Sequence, residues 1–385
     1  MSAARLPSVC IIAHNAYGAI KGDGTGHIGG AEHQTALLAR WLTGKGYKTM
    51  LLTWKEGQPD DCIINGVRVM GICKANAGVP GFRFIHPRST GLFSAMARAD
   101  ADIYYHNSAE PVTGLAAAWC RMRNRRFVYS VASDVACERH LPTLKGLRDR
   151  WLYRYGLHHA DTIIVQTNKQ AELLQQSFGL KSSVLPMPCG FSPATQFTGN
   201  SPLGLPRVAW VGRIDRMKRL EWLLDVAEGM PKIEFDVVGA NIQAAAARPH
   251  LANYARLLHE RATALPNVHW HGGLPHDAVT EIYRKAICLC CTSSYEGFPN
   301  TFLEAWSQAR PVVSSFDPDG IIHNRKLGFY GTSVAELAAA ISRLTASGAL
   351  WKELSNNALS YFTNNHALDV SMPRYERTIL PPVTD

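Results

Sequence analysis

The residues best suited to chemistry fall in two stretches of the second half. In SSYEGFPNTFLEAW, residues 293 to 306, Glu296 and Glu304 lie eight positions apart, with Gly297, Pro299 and Asn300 turning the chain between them. Carboxylates accept hydrogen bonds from paired hydroxyls such as those of a ribose or a hexose. A helix starting near Thr301 would place Glu304 in its first turn, where acids also serve as caps, so both readings stand for Glu304. Glu296, beside Gly-Phe-Pro, has no capping duty.

The second stretch is VAWVGRIDRMKRLEWLLDVA, residues 208 to 227. Its pattern predicts a strand ending at Gly212, with Arg213 at the carboxyl tip and Lys218 just before an amphipathic helix. Two fixed cations suit a diphosphate, whose charge grows as it leaves. A solvated basic turn is the competing reading, since Arg216 and Arg219 lie alongside.

A third motif, GDGTGHIGGAE at 22 to 32, separates the first predicted strand from the first helix. Glycines let backbone approach a ligand closely, and a helix N-terminus offers free N–H groups to a phosphate. Gly24, Gly26 and Gly29 match the dinucleotide fingerprint in form only. About ten residues separate Ala13 from Gly24, and no acid ends the second strand at Thr53. A flexible loop and a phosphate- or substrate-approaching loop both remain.

These motifs must be positioned by a chain of 385 residues, enough for two domains. Hydrophobic residues at 46% and charged ones at 18% give an ordinary globular composition, and no apolar run is long enough to span a bilayer. The N-terminus offers no secretory signal, so a cytoplasmic location is expected. Nine scattered cysteines suit reduced thiols, and CLCC at 288 to 291, inside an apolar run without partner ligands, reads as buried strand. Charge is uneven: residues 1 to 200 hold 22 Lys and Arg against 13 Asp and Glu, whereas 201 to 385 hold 18 of each. A basic half fits an anionic surface, a phosphorylated substrate or nucleic acid, but no nucleic-acid signature accompanies it.

Short β-branched runs alternate with helical patterns throughout, the signature of parallel sheets built from strand-helix-strand units. Strands are predicted at 9–13, 49–53, 67–70, 103–106, 127–131 and 162–166, then at 207–211, 234–238, 268–271, 287–292 and 311–314. The intervening helices fall near 31–43, 92–98, 112–123, 144–157 and 168–178, then 220–228, 251–264, 276–285, 302–308 and 334–346. The Pro-, Gly-, Ser- and Thr-rich stretch before Arg207 reads as a linker. The expected organisation is a first domain over 1–188, a linker over 189–206, a second domain over 207–350 and a helical segment over 351–385 that could pack back on the first domain. In such sheets ligands bind beyond the carboxyl ends of the strands.

The glycine loop with GGAE, the Gly212-Arg213 step followed by Lys218, and the two glutamates of EGFPNTFLE occur in this order in two α/β halves. This combination resembles the family 4 retaining glycosyltransferases of GT-B fold over essentially the whole chain, and DTIIVQTNKQAELL at 161 to 174 is similar to the segment closing their N-terminal domain. The resemblance implies two tandem Rossmann-like, doubly wound parallel-sheet domains facing a shared cleft, the first on the acceptor side and the second on the nucleotide-sugar side. It implies that Arg213 and Lys218 hold the donor diphosphate beside Gly212, that Glu304 binds the ribose hydroxyls and that Glu296 touches the transferred sugar. The backbone of Phe298, Pro299, Asn300 and Thr301 would approach the sugar and phosphates, and Gly29 and Gly30 would lie under the donor phosphates or beside the acceptor.

There are departures from that pattern. Where many relatives carry a histidine after the strand corresponding to FVYSVAS, this chain has Ala132, Ser133 and Asp134, with Asp134 the substitute for the sugar contact. Ala309 and Arg310 replace a glycine before Pro311, and PDGIIH at 318 to 323 replaces a Gly-Gly turn.

The expected activity is transfer of a hexose from a UDP- or GDP-sugar to a glycan or lipid-linked glycan, with retention and without a cofactor or divalent metal. An epimerase or hydrolase of the same architecture, or a non-catalytic carbohydrate- or membrane-binding protein, are the alternatives. Leu147, Trp151 and Tyr155 among Lys145, Arg148, Arg150 and Arg154, with a second basic cluster at Arg121 to Arg126, suggest a peripheral contact with an anionic membrane on the cytoplasmic face.

Overall fold

The structure, a computed structural model, describes residues 5–22, 29–194, 205–239, 241–242, 245 and 249–381. Contacts divide the chain into two units, residues 1–188 with 371–385 and residues 189–370.

The first unit is built on an eight-stranded sheet: β1 (Val9–Ile12), β2 (Thr49–Thr53), β3 (Asp61–Ile64), β4 (Val67–Gly71), β5 (Ile103–His106), β6 (Arg126–Ser130), β7 (Thr162–Val165) and β8 (Ser183–Val184). Their spatial order is β3-β4-β2-β1-β5-β6-β7-β8, parallel except for the β3–β4 pair. Central strands of a parallel sheet are covered on both faces, so they read as continuous apolar runs. All four residues of β1 and all five of β2 are accordingly buried. The order reverses between β1 and β5. The reversal opens a crevice at their carboxyl ends, where the neighbouring connections leave in opposite directions. Helices Pro111–Arg123 and Leu147–His158 pack so closely that a Cβ on Gly114 would meet the Leu152 carbonyl oxygen at 2.1 Å.

The second unit carries a six-stranded, wholly parallel sheet: β9 (Arg207–Val211), β10 (Glu234–Val238), β11 (Val268–Gly272), β12 (Cys288–Cys291), β13 (Val312–Ser314) and β14 (Gly328–Tyr330). The order is β11-β10-β9-β12-β13-β14, with the reversal between β9 and β12. Cys288 pairs with Val208 and Leu289 with Ala209, so both strands end on the same side. The cysteines of CLCC are buried in β12, and burial pushes their thiols up in pKa.

Helices Asn168–Phe178, Leu220–Glu228, His276–Lys285 and Val334–Ala346 start and stop where the sequence pattern places them. β3, β8 and β14 escape it because they are short edge strands with little apolar periodicity. The predicted 189–206 linker is ordered at its start as part of the second unit: the Cys189 N–H donates to the His366 carbonyl and the Ala194 N–H to that of Ser307. Residues 195–204 lie outside the described residues. The segment 351–385 is divided rather than single. Trp351 is buried in the core of the second unit, whereas Trp41 and Tyr47 of the first unit donate hydrogen bonds to the Glu376 carboxylate. Among the described residues no helix is long and apolar enough to cross a membrane.

Candidate functional site

The reversal between β9 and β12 gathers the second unit's chemical residues. β9 ends at Val211. The Gly212 N–H still donates to the Val238 carbonyl, and a Cβ on Gly212 would lie 3.0 Å from the Trp210 ring, a tight fit. Beyond it the chain makes a short 3-10 turn, Arg216–Lys218, capped by Asp215, whose carboxylate accepts from the Met217 N–H. Arg219 follows in the left-handed region, at φ +46°.

Arg219 locks this turn to the loop after β12. Its guanidinium donates to the Thr292 carbonyl at 2.8 Å, the Ser293 carbonyl at 3.1 Å and the Ser315 hydroxyl at 2.9 Å. The Thr292 hydroxyl donates to the Lys218 carbonyl and itself accepts from the Trp210 indole. The solvated basic turn of the sequence reading is thereby excluded for Arg219, and Arg216 lies over the Tyr254 ring. Arg213 is exposed and makes no hydrogen bond or ion pair among the described residues.

So fixed, Lys218 forms an ion pair with Glu296, whose carboxylate also accepts from the Ser293 hydroxyl at 2.7 Å. Helix Asn300–Ser307 then starts behind Pro299 with no side-chain cap, its first turn following directly on Phe298 and Pro299. The helix starts one residue earlier than the sequence spacing suggests, so Glu304 lies just past its first turn and does not cap it. Tyr283, from helix His276–Lys285, donates to its carboxylate at 2.8 Å. Burial lifts the Glu304 pKa to about 7, against the opposing pull of the Tyr283 hydrogen bond and the Lys218 charge.

The remaining expected residues belong to other segments of the chain. Gly29 and Gly30 belong to the first unit, where Gly29 precedes helix Gly30–Gly44 and no side chain caps it. Gly24 and Gly26 fall outside the described residues. Asp134 is also in the first unit, and its carboxylate is engaged by Lys169 at 2.9 Å and Gln170 at 3.1 Å, which tie its turn to helix Asn168–Phe178. Of the replacements near Pro311, Ala309 takes φ +57°, a conformation glycine reaches without strain, and Arg310 is buried over Trp351. The acid pair Asp100 and Asp102 is bridged by Arg125. Among the described residues no group of three His, Cys, Asp or Glu side chains is placed to hold a metal ion.

Sequence reasoning missed a second group, in the first unit. His14 follows β1, Trp54 follows β2 and Glu110 lies just beyond β5, so all three occupy the carboxyl ends of strands at or beside the reversal. His14 stacks on Trp54 with ring centroids 3.9 Å apart, and its Nδ1 lies 3.0 Å from the Glu110 carboxylate. Burial raises the Glu110 pKa, but the hydrogen bond and charge of His14 outweigh it and hold the carboxyl below its usual range. They line a cavity of about 660 Å³. Their position one or a few residues past a strand was the available signal, but no local motif marks them.

Comparison with known proteins agrees with this architecture. Residues 29–190 match the family described as glycosyl transferase 4-like domain, and residues 205–347 match glycosyl transferases group 1. No curated protein sequence matches the chain. Among solved structures, it is similar to sucrose-phosphate synthase of Thermosynechococcus elongatus, at 18% identity and a TM-score of 0.73, over 97% of this chain and 98% of that one. It is also similar to Anabaena HepE, solved with UDP and glucose, at 15% identity and a TM-score of 0.72, over 97% and 99% of the two chains. A glycosyltransferase of Rickettsia africae gives 14% identity and a TM-score of 0.72, over 98% and 99%. With two parallel-sheet α/β units, each matched by a glycosyltransferase domain family, the chain is a glycosyltransferase of GT-B type.

Proposed function

We propose that the chain transfers a hexose from a UDP- or GDP-sugar to a glycan or lipid-linked glycan acceptor, with retention at the anomeric carbon and without a divalent metal. The observation that supports this most is the placement of Lys218, Glu296 and Glu304 at the β9–β12 reversal, with Arg213 exposed at the tip of β9. Arg213 and Lys218 supply the positive charge that a departing diphosphate needs, and the uncapped N-terminus of helix Asn300–Ser307 adds oriented N–H groups. Glu304 accepts from the ribose hydroxyls. Glu296, paired with Lys218, exchanges that partner for a sugar hydroxyl as the diphosphate takes over the ammonium. In a front-face displacement a phosphate oxygen takes the acceptor proton, so no protein base is needed. HepE, a relative in fold, was solved with UDP and glucose, which favours UDP-glucose as the first donor to try.

The acceptor is proposed to be met at an anionic membrane surface. On helix Leu147–His158, Leu147 is 84% exposed and Trp151 63%, beside Arg148 and Arg154. Exposed apolar side chains among cations suit a peripheral contact with anionic lipid.

The test is incubation of labelled UDP- and GDP-hexoses with glycan acceptors in the presence of EDTA. Transfer with unchanged anomeric configuration is the expected result. A requirement for added manganese overturns the metal-free mechanism, and release of free sugar without acceptor identifies a hydrolase.

A further inference from the structure

The cavity in the first unit has a chemistry that the donor reading does not use. His14 and Trp54 form its aromatic wall, and Phe84 with Leu92 and Leu115 extends its apolar lining. Its charges are unequal. Glu110 is engaged by His14, and Asp149 by Arg148, whose guanidinium lies 3.8 Å from the Phe84 ring centre. That leaves Arg83 and Arg88 with no carboxylate among the described residues. The Arg83 side chain makes no hydrogen bond or ion pair there. The Arg88 guanidinium donates only to the Ala75 carbonyl, its Nε has no acceptor among the described residues, and its charge lies over the Trp54 ring at 5.8 Å. A guanidinium stays protonated at any ordinary pH and presents a planar fork that fits carboxylates and phosphates.

A neutral sugar would leave both charges facing the cavity uncompensated. A carboxylate or phosphate would compensate both guanidinium charges beside the aromatic platform. We propose that this cavity binds the acceptor and that the acceptor sugar carries an anionic substituent, a carboxylate or a phosphate, held by Arg83 and Arg88 while its ring rests against Trp54 and His14. This deepens the reading of the chain as a sugar transferase and rests on it.

Binding to the whole 385-residue chain, saturated with UDP, is measured by calorimetry for methyl glucoside, methyl glucuronide, glucose 6-phosphate and inorganic phosphate. The acidic sugars are expected to bind at least about tenfold more tightly than methyl glucoside, a difference of about 1.4 kcal/mol. Inorganic phosphate, lacking the ring, is expected to bind more weakly than glucose 6-phosphate. Whether the glucuronide or the phosphate ester binds tighter assigns the anion.

Arg83→Gln together with Arg88→Gln should bring acidic and neutral sugars within about twofold of each other. Trp54→Ala should weaken all sugars alike. Because Arg88 also holds the Ala75 carbonyl, Arg83→Gln alone is the second variant, and it too must reduce the preference. Equal affinity for neutral and acidic sugars, a preference that survives the arginine changes, or no sugar binding at all overturns the proposal. UDP and GDP affinity is measured on the same protein preparations before nucleotide is added: if neither nucleotide binds, the donor-site reading fails, whereas nucleotide binding without acid discrimination removes only the acceptor proposal.

Discussion

Lys218 and Glu296, 78 positions apart in the sequence, are joined in an ion pair beyond the ends of two neighbouring parallel strands. Neither side chain reaches the other through local structure. The register of β9 against β12 sets their strands, and Arg219 binds the two following loops together. Each partner offsets the other's desolvation, and an arriving diphosphate competes for the ammonium.

Lys218→Ala is expected to lower kcat by about 10² to 10³, the loss seen when one preorganised donor is taken from an oxyanion site. Nucleotide-diphosphate affinity should fall with it, because the same ammonium meets the product. Steady-state kinetics and UDP titration check this, and a variant turning over at the normal rate would show that the donor diphosphate is held elsewhere.

Arg219→Ala tests the scaffold rather than the chemistry. It removes two donated hydrogen bonds to the loop after β12 and one to Ser315 after β13, and hydrogen bonds from charged groups contribute about 1.5 to 3 kcal/mol. A lower melting temperature and weaker nucleotide binding are expected together. Arg219→Lys should rescue little, since one ammonium cannot reach all three acceptors in the same geometry.

Glu304 makes stability depend on pH in a stated direction. Its folded pKa, about 7, lies above the ordinary 4.5, so the folded state holds a proton that the unfolded chain has released. The stability this group contributes is therefore fully present below about pH 4.5 and is lost as pH rises through about 7. Thermal unfolding of Glu304→Gln against the parent between pH 5 and pH 8 should show a shallower decline in the variant. If the carboxylate accepts ribose hydroxyls, nucleotide affinity in the parent should increase as pH passes 7, and this increase should be absent in the variant. Parallel stability curves would place the titration on another group.

Replacing Leu147 and Trp151 together with Ser should abolish sedimentation with vesicles of anionic phospholipid at low salt. Unfolding should change little, because both side chains are mostly exposed. The parent should bind such vesicles and release them as salt screens the basic face. Equal binding by parent and variant, or none by the parent, rules out this surface.

The alternation of apolar runs with amphipathic stretches was enough to establish two α/β domains, because period and turn chemistry are local properties. Helix Asn168–Phe178, with Thr167 capping it and Gly179 closing it, shows how completely local signals can define an element. The order GR, Lys218, Glu296, Glu304 was likewise legible, since those residues lie in loops that directly follow predicted strands. What the chain could not show on its own is who touches whom. Arg219 and Arg213 look alike in RIDRMKR, yet one is a structural tie and the other has no partner among the described residues, a difference made by the Thr292 and Ser293 carbonyls on a distant loop. Glu304 could be read as a cap or as a hydroxyl-binding acid, and Tyr283, from another helix, engages its carboxylate. His14, Trp54 and Glu110 carry no motif at all, and only strand order placed them around one cavity. Sequence determines what each short segment prefers to be. Non-local pairing of strands decides which side chains meet, and so which charges are neutralised and which are left for a ligand.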